Sequence, residues 1–208
     1  MKRYATLASF VLLADLIACG ESEPERASGT ATVEEAAANE VVNEAAENAN
    51  TECLAEAQGA VMALKRALVS RLVEALGESP EAAVEVCARE AESMRARVQQ
   101  ETGVEVGRAS SRLRNHAANG SPPPWVRSYL TAHAEGEERE PVEWSQRASG
   151  KVRLVSPLIT GELCLTCHGE DIAPPTLAAL DLRYPNDAAR GYHGGDLRGV
   201  VWATAACE

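Results

Sequence analysis

The stretch Cys164-Leu165-Thr166-Cys167-His168, followed by Gly169, decides how this chain is interpreted. Two thiols and an adjacent imidazole at this spacing suit covalent attachment of haem, because each cysteine sulfur adds to one porphyrin vinyl group and the histidine binds the iron. The motif therefore predicts one c-type haem, attached in a loop or short helix near the C-terminus of a 208-residue chain.

Three other kinds of site share part of this motif. A zinc knuckle needs a second pair of ligands at short spacing, and the sequence contains no other C-x-x-C and no H-x-x-x-H. A thioredoxin-like redox pair is expected in a βαβ unit, which the flanking sequence does not indicate. A plain disulfide between Cys164 and Cys167 would leave His168 unexplained. Covalent haem is the interpretation that uses all three residues.

The charge of the chain is concentrated in one segment. The net charge is -11, and the segment from Gly20 to Glu52 holds nine Glu and one Arg. A nucleic-acid-binding protein would instead cluster Lys and Arg on one face, so nucleic acid is not an expected partner. The hydrophobic content of 45% is ordinary for one globular domain with appendages.

The N-terminus is typical of an exported protein. Met1-Lys2-Arg3 precedes an apolar run from Leu7 to Ala18 that is too short to span a bilayer. The run ends in Leu16-Ile17-Ala18-Cys19-Gly20, which resembles the lipobox of bacterial lipoproteins, whose cysteine is acylated. We expect a signal peptide over residues 1–18 and a lipid anchor at Cys19. The alternative is an ordinary secretory signal cleaved elsewhere.

The resemblance to lipoproteins also implies a location. Gly20 after the cysteine favours the outer membrane over the inner one, and in either case the domain faces the periplasm. Residues 19–52 are rich in Ala, Glu and Asn and nearly lack large apolar residues, which predicts a flexible tether. The folded domain is expected over residues 53–208.

Helices are predicted first in this domain. Helical spacing of apolar residues predicts one helix from Leu54 to Leu76, and Ser79-Pro80 has the pattern of an N-cap followed by a first helical residue. In the second predicted helix, one face carries the apolar residues Val84, Cys87, Ala91, Met94 and Val98. Cys87 is therefore expected to point inward with them.

Short strands follow. Strands are predicted at 103–108, 142–144, 151–155 and 200–205, with Pro157 ending the third, and further helices at 125–134 and near 177–182. Helices followed by several short strands predict an α+β fold with a small antiparallel sheet.

The order of several blocks resembles a known family, the single-haem c-type domain with a PAS-like fold, long catalogued as a domain of unknown function. The blocks are Ala83–Cys87, Val106–Ser110 with Leu113-Arg114-Asn115, Trp125, Leu163–Gly169, Tyr184-Pro185 to Asp187 with Ala189, and Gly191-Tyr192 to Gly195–Gly199. His116 departs from the pattern, because the family usually has proline there.

The resemblance implies that His168 and a cysteine thiolate, carried over onto Cys87, hold the iron. Counting agrees: with Cys19 and the haem cysteines assigned, Cys53, Cys87 and Cys207 remain. Cys53 and Cys207 lie at the two ends of the domain and are the natural disulfide in an oxidising compartment. The alternatives for the second iron ligand are an open site or one of Met62, Met94, His116, His133 and His193.

A thiolate opposite His168 would saturate the iron and lower its reduction potential. This favours one-electron transfer or redox sensing with an unidentified redox partner protein over enzymatic turnover. The alternatives are a haem enzyme or gas-binding protein with an open distal site, where His116, His133 or Arg108 could act, and a lipoprotein whose haem is structural. Arg108, Arg114 and Arg198 are candidate partners for the haem carboxylates, or else solvated surface arginines.

Overall fold

Six helices and a four-stranded antiparallel sheet make up the part of the chain that the structure, a computed structural model, describes. It describes residues 33–116, 121–134 and 143–207, with backbone only at 33–47, 50 and 134. The predicted signal peptide and Cys19 lie outside these residues. In chain order the elements are α1 (Val33–Glu78), α2 (Pro80–Arg89), α3 (Ala91–Thr102), β1 (Glu105–Ala109), α4 (Pro124–Ala134), β2 (Trp144–Ala148), β3 (Lys151–Ile159), α5 (Glu162–His168), α6 (Pro174–Arg183) and β4 (Leu197–Ala206).

The α1 helix is longer than the sequence predicts. It begins at Val33, so residues 33–52, for which the composition predicted a flexible tether, are helical. Ala and Glu have high helix propensity, and a helix already formed beyond Cys53 propagates into them at little cost. Among the described residues no helix is long and apolar enough to cross a membrane. The chain divides into units of residues 1–39 and 40–208, and the second contains the whole sheet.

The second predicted helix is two helices in the structure. The hydroxyl of Ser79 accepts a hydrogen bond from the Ala82 N–H at 3.0 Å, as expected for an N-cap with Pro80 after it. The helix then stops at Arg89 and resumes at Ala91. The two parts pack differently, since α2 lies against α5 and α6 whereas α3 lies against β1.

The sheet has the order β1-β4-β3-β2 and every neighbouring pair is antiparallel. This confirms the α+β class, while two strand predictions need correction. β2 runs from Trp144 to Ala148, whereas only Trp144 was expected to belong to it, and Val142 lies outside the described residues. β3 continues through Pro157 to Ile159.

Pro157 is tolerated because β3 is paired on one side only at that point. The β2 strand pairs with Lys151–Val155 and no further, so a residue beyond Val155 needs no N–H for a ladder on that side. The Pro157 carbonyl instead accepts a hydrogen bond from Lys65 Nζ at 3.2 Å.

Apolar residues cover both faces of the sheet. One face packs against α1 and α3, with Leu64, Val98 and Leu154 at its centre. The other packs against α4 and contains Trp202 and Val126. A smaller cluster joins α2 to α6, and its buried members are Val84, Leu180 and Tyr184. Cys167 packs against this smaller cluster, so the haem motif sits beside the α2–α6 contact.

A disulfide joins the two ends of the domain. The Cys53 and Cys207 sulfurs are bonded, with 5.5 Å between the Cα atoms, and the two positions are separated by 154 in the sequence. Cys53 is buried in α1 and Cys207 follows β4. Cys87, Cys164 and Cys167 are the free cysteines among the described residues.

Candidate haem-binding site

The haem motif forms a single short helix. Cys164, Cys167 and His168 all lie in α5, at positions i, i+3 and i+4. Residues at this spacing share one face of a helix, so the two thiols and the imidazole are presented to the same side. Gly169 ends the helix, and any Cβ there would come within 2.8 Å of the Leu165 carbonyl oxygen. The local sequence therefore fits covalent attachment of one flat group along this face.

His168 is held in one tautomer. Its Nδ1 lies 2.7 Å from the Ala189 carbonyl oxygen, which can only accept a hydrogen bond. Nδ1 therefore carries the proton and Nε2 keeps its lone pair, which faces the guanidinium N–H groups of Arg198 and Arg114 here and is the atom that an iron ligand requires. Burial lowers the pKa of His168 to about 3, and the charges of Arg198 and Arg114 contribute to the shift. The imidazole is thus neutral at physiological pH.

The loop between α6 and β4 wraps around the end of α5. The Gly191 and Tyr192 N–H groups donate to the carbonyl oxygens of Gly169 and His168, at 3.0 and 2.9 Å. The Tyr192 ring also stands edge-on to the imidazole, with 6.2 Å between the ring centroids. Backbone hydrogen bonds and an aromatic ring therefore fix the position of His168 from one side.

Asp187 is the buried acid of this loop. Its side chain is 0% exposed and accepts hydrogen bonds from Arg114 Nε at 3.0 Å, Arg190 Nε at 2.8 Å and the Ala189 N–H at 2.9 Å. Burial would raise the pKa of Asp187, but these hydrogen bonds outweigh it and hold the pKa below its ordinary value of 3.8. Asp187 is therefore an ionised carboxylate within the protein.

Cys87 lies on α2 beside the haem motif, and its surroundings correct one expectation. The sequence predicts an inward-facing core position, yet the side chain is exposed to solvent, because α2 packs its apolar residues against α6 rather than against the sheet. Nearby protein atoms nevertheless desolvate the sulfur and raise its pKa, whereas Arg108, Arg198 and Arg114 act in the opposite direction. Both observations fit a sulfur in a crevice, open on one side.

The two cysteines on facing helices are close enough to interact. A negative charge on Cys87 raises the pKa of Cys167, in addition to the larger effect of burial. The structure thus brings Cys87 close to Cys167 on α5, although Cys87 precedes Cys164 by 77 positions in the sequence.

Three arginines converge on the same place. Arg198 Nη1 and Arg114 Nη1 lie 3.1 and 3.4 Å from His168 Nε2. Arg108 projects from β1 on the face that carries Val106, and burial together with the charge of Arg198 lowers its pKa. Burial also lowers the pKa of Arg198. Within the described ranges only Arg114 of these three forms an ion pair, with Asp187.

The other ligand candidates are engaged elsewhere. His116 Nε2 hydrogen-bonds with the Asn186 carbonyl at 3.1 Å, and the His133 ring stacks on Tyr129 with 5.6 Å between centroids. His193 lies on the surface between Glu170 and Asp196. Met94 is buried in α3 and Met62 is exposed on α1. Cys87 is the candidate that the structure places against α5.

A separate crevice of about 1090 Å³ runs along the edge strand β1. It is bounded by α3 and by Ser121–Pro124, and Trp202 and Arg108 reach into its wall. Cys87 and the three residues of the motif do not line it. We therefore place the candidate site at α5. Arg108 is the residue shared by this site and the crevice along β1.

Sequence reasoning missed the roles of Asp187 and the Ala189 carbonyl. Both belong to a block that carries the family resemblance, which was the available signal. Nothing in the residue types alone indicates that a backbone carbonyl 21 positions after His168 accepts its Nδ1 proton.

The comparisons with known proteins agree with this fold. A family model described as Tll0287-like matches residues 25–205. The crystal structure of the cyanobacterial heme-protein Tll0287 superposes with a TM-score of 0.53 at 20% sequence identity, and the match covers 72% of this chain and 94% of that one. A search of the curated proteins finds no match. At this identity the structural likeness shows the fold alone.

Proposed function

The chain belongs to the Tll0287-like family, and from this premise we propose that it is a haem protein for one-electron transfer or redox sensing. The haem is attached through Cys164 and Cys167, and the iron is held by His168 and Cys87. The observation that carries this proposal is the hydrogen bond from His168 Nδ1 to the Ala189 carbonyl. It leaves Nε2 unprotonated, so that its lone pair can bind iron on the same helical face as both thiols.

Each group of the site has a defined task. His168 supplies the neutral imidazole nitrogen Nε2. The hydrogen bond from Nδ1 to the Ala189 carbonyl makes Nε2 a stronger electron-pair donor to a metal. Cys87 would supply a thiolate to the iron: burial raises the pKa of its thiol, and the charges of Arg108, Arg198 and Arg114 oppose that shift. A bound haem supplies reversible exchange of one electron. If His168 and Cys87 both held the iron, no ligand position would remain for a substrate.

The arginines suit the carboxylates of the haem. Buried guanidinium groups are normally paired with anions, because an unpaired buried charge is costly. Arg108 and Arg198 are half-buried and have no carboxylate partner within the described residues, whereas Arg114 is paired with Asp187. Two haem propionates and the Cys87 thiolate would supply the missing negative charge. This assigns Arg108 and Arg198 to the propionates.

The first experiment asks whether haem is attached covalently. Protein made in a haem-attaching host should keep its pigment after extraction with acid acetone, and the double variant C164A/C167A should lose it. A colourless protein, or pigment that is extracted from the unsubstituted protein, contradicts the proposal.

A second experiment addresses the ligand at Cys87. C87M should raise the midpoint potential and change the ferric spectrum, because a thioether favours ferrous iron more than a thiolate does. The matched control is M94L, since Met94 is buried in α3 and is not proposed to touch the iron. If C87M and M94L both leave the ferric spectrum unaltered, Cys87 is not a ligand.

An open distal site is the alternative class. Unsubstituted ferric protein that changes its spectrum with cyanide, or ferrous protein that binds carbon monoxide in the presence of an intact thiolate, would favour a gas-binding or enzymatic role. A third role, as an envelope scaffold with a structural haem, would be indicated by partner binding that is the same in both oxidation states.

The proposal includes a lipid anchor and a periplasmic location. They rest on the sequence from Leu16 to Gly20, and Cys19 lies outside the described residues. The C19S variant should move from the membrane fraction to the soluble periplasmic fraction. Separation of inner and outer membranes by density tests the expected outer-membrane location.

A further inference from the structure

Asp187 and His168 are connected through Ala189 and, by a second route, through Arg114. The Ala189 backbone donates its N–H to Asp187 Oδ1 at 2.9 Å, and its carbonyl accepts from His168 Nδ1 at 2.7 Å. From this connection we infer that Asp187 is the positioning residue that fixes the orientation of the imidazole at the iron. The inference rests on the proposed function and deepens it.

The connection is doubled by Arg114. Arg114 Nε donates to Asp187 Oδ2 at 3.0 Å, and its Nη2 donates to the same Ala189 carbonyl at 3.1 Å and to the Cys167 carbonyl. Asp187 therefore holds Ala189 twice, directly through the N–H and indirectly through the guanidinium. The Ala189 carbonyl oxygen, which accepts the hydrogen bond from His168 Nδ1, is therefore held in place through both the N–H and the C=O of its residue.

The carboxylate is irreplaceable in this arrangement because it accepts with both oxygens. Oδ1 accepts a hydrogen bond from the Ala189 N–H, and Oδ2 accepts hydrogen bonds from Arg114 and Arg190. Asparagine has one acceptor oxygen and one donor NH₂, so one side of it must face an N–H group. D187N thus breaks either the hydrogen bond to Ala189 or those to the arginines. Since the Asp187 side chain is fully buried, water cannot easily replace the lost acceptor.

Asp181 provides a matched control. It also accepts from Arg190, through Nη2 at 2.7 Å, but its side chain is 61% exposed and it is not bonded to Ala189 or Arg114 in the described residues. D181N therefore removes the same charge and disturbs the same arginine. It leaves the path to His168 intact.

The experiment compares the holoproteins of D187N, D187E and D181N with the unsubstituted one by EPR of the ferric haem and by the midpoint potential. D187E keeps the charge but extends the side chain by one methylene, so an effect of D187E comes from position. We expect both D187N and D187E to shift the low-spin EPR signal. D187N should also raise the midpoint potential, because an Ala189 carbonyl that is no longer held makes His168 a weaker electron-pair donor to the iron. D181N should change neither the EPR signal nor the midpoint.

Two outcomes overturn the inference. One is a D187N variant whose EPR signal and midpoint match those of D181N. The other is a D187E variant whose EPR signal equals that of the unsubstituted protein. That result would mean that only the charge of Asp187, and not its position, affects the haem.

A measurement on the unsubstituted holoprotein covers the case in which the variants do not take up haem. The Nδ1 proton of His168 should exchange slowly in D₂O, as followed by electron–nuclear double resonance, because Asp187 and Arg114 hold the Ala189 carbonyl against it. Exchange complete within the mixing time contradicts the inference. Absence of attached haem in the unsubstituted protein is a different failure, that of the proposed function itself.

Discussion

The indole ring of Trp202 lies directly against Gly107, its partner in the register of β1 and β4. A Cβ at Gly107 would come within 2.4 Å of the ring, and the indole is buried. We therefore expect G107A to destabilise the domain by about 1–3 kcal/mol, because the buried ring would have to move. Urea denaturation followed by circular dichroism measures this change.

Gly59 is the matched control for this substitution. It lies inside α1, and nothing comes within 4 Å of the position a Cβ would take. G59A should be neutral or stabilising by up to about 1 kcal/mol, since alanine has the higher helix propensity. Equal stability of G107A and G59A would show that the ring does not restrict position 107.

The disulfide between Cys53 and Cys207 should contribute strongly to stability. It joins positions separated by 154 in the sequence, and cross-links over long loops typically stabilise by about 2–5 kcal/mol. Dithiothreitol should lower the urea midpoint of the unsubstituted protein. It should have no effect on the variant C53A/C207A, which is expected to be less stable from the start.

Haem retention is a convenient internal check on this measurement. Thiols do not reduce thioether links, so if haem is attached as proposed the pigment should stay on the protein while the disulfide opens. A urea midpoint that is indifferent to reductant would contradict a stabilising role for the disulfide.

The elements predicted well from sequence are those with local signals. The C-x-x-C-H spacing by itself predicts where Cys164, Cys167 and His168 lie, and Ser79-Pro80 marks the start of α2. What sequence could not predict depends on tertiary partners. Pro157 ends a strand by its own propensity, but it is tolerated in β3 because β2 has already stopped pairing.

The site shows the same division. Helical periodicity places Cys87 on the face of Val84, yet α2 packs against α6, so solvent reaches the sulfur. The support of His168 passes through the backbone of Ala189, and a backbone carbonyl has no sequence signature. Long-range backbone contacts of this kind become visible only once the chain is folded.

The half-buried arginines Arg108 and Arg198 should raise the midpoint potential of the proposed haem. Ferric iron carries one more positive charge than ferrous iron, so nearby guanidinium charges favour the reduced state. Two unit charges about 10 Å apart at an effective dielectric near 20 interact by roughly 1–2 kcal/mol, which is about 40–90 mV for one electron. We therefore expect R108Q and R198Q each to lower the midpoint by an amount of this order.

Arg97 is the control for this prediction. Its side chain is 61% exposed on α3, so solvent and salt screen its charge. R97Q should leave the midpoint within experimental error. Protein-film voltammetry on the three variants makes the comparison, and an effect of R97Q as large as that of R198Q would contradict a specific role for the half-buried arginines.

His168 should make the haem-free protein sensitive to mild acid. Its pKa lies at about 3 in the folded protein, chiefly because of burial, against an ordinary value of 6.5. Above pH 6.5 neither state binds the proton, so His168 adds no pH dependence. Between pH 6.5 and 3 the unfolded chain takes up the proton and the folded one does not, so the free energy of unfolding falls by up to about 1.4 kcal/mol per pH unit.

The variant H168N isolates this contribution, because the asparagine amide can still donate to the Ala189 carbonyl but does not titrate. The comparison is made between pH 6.5 and 5, where Asp187, whose pKa is held below 3.8, stays ionised in both states and does not contribute. In that window the free energy of unfolding should fall more steeply for the unsubstituted haem-free protein than for H168N. Parallel slopes would mean that His168 takes up its proton equally well in the folded state, and that the imidazole is not held neutral by its surroundings.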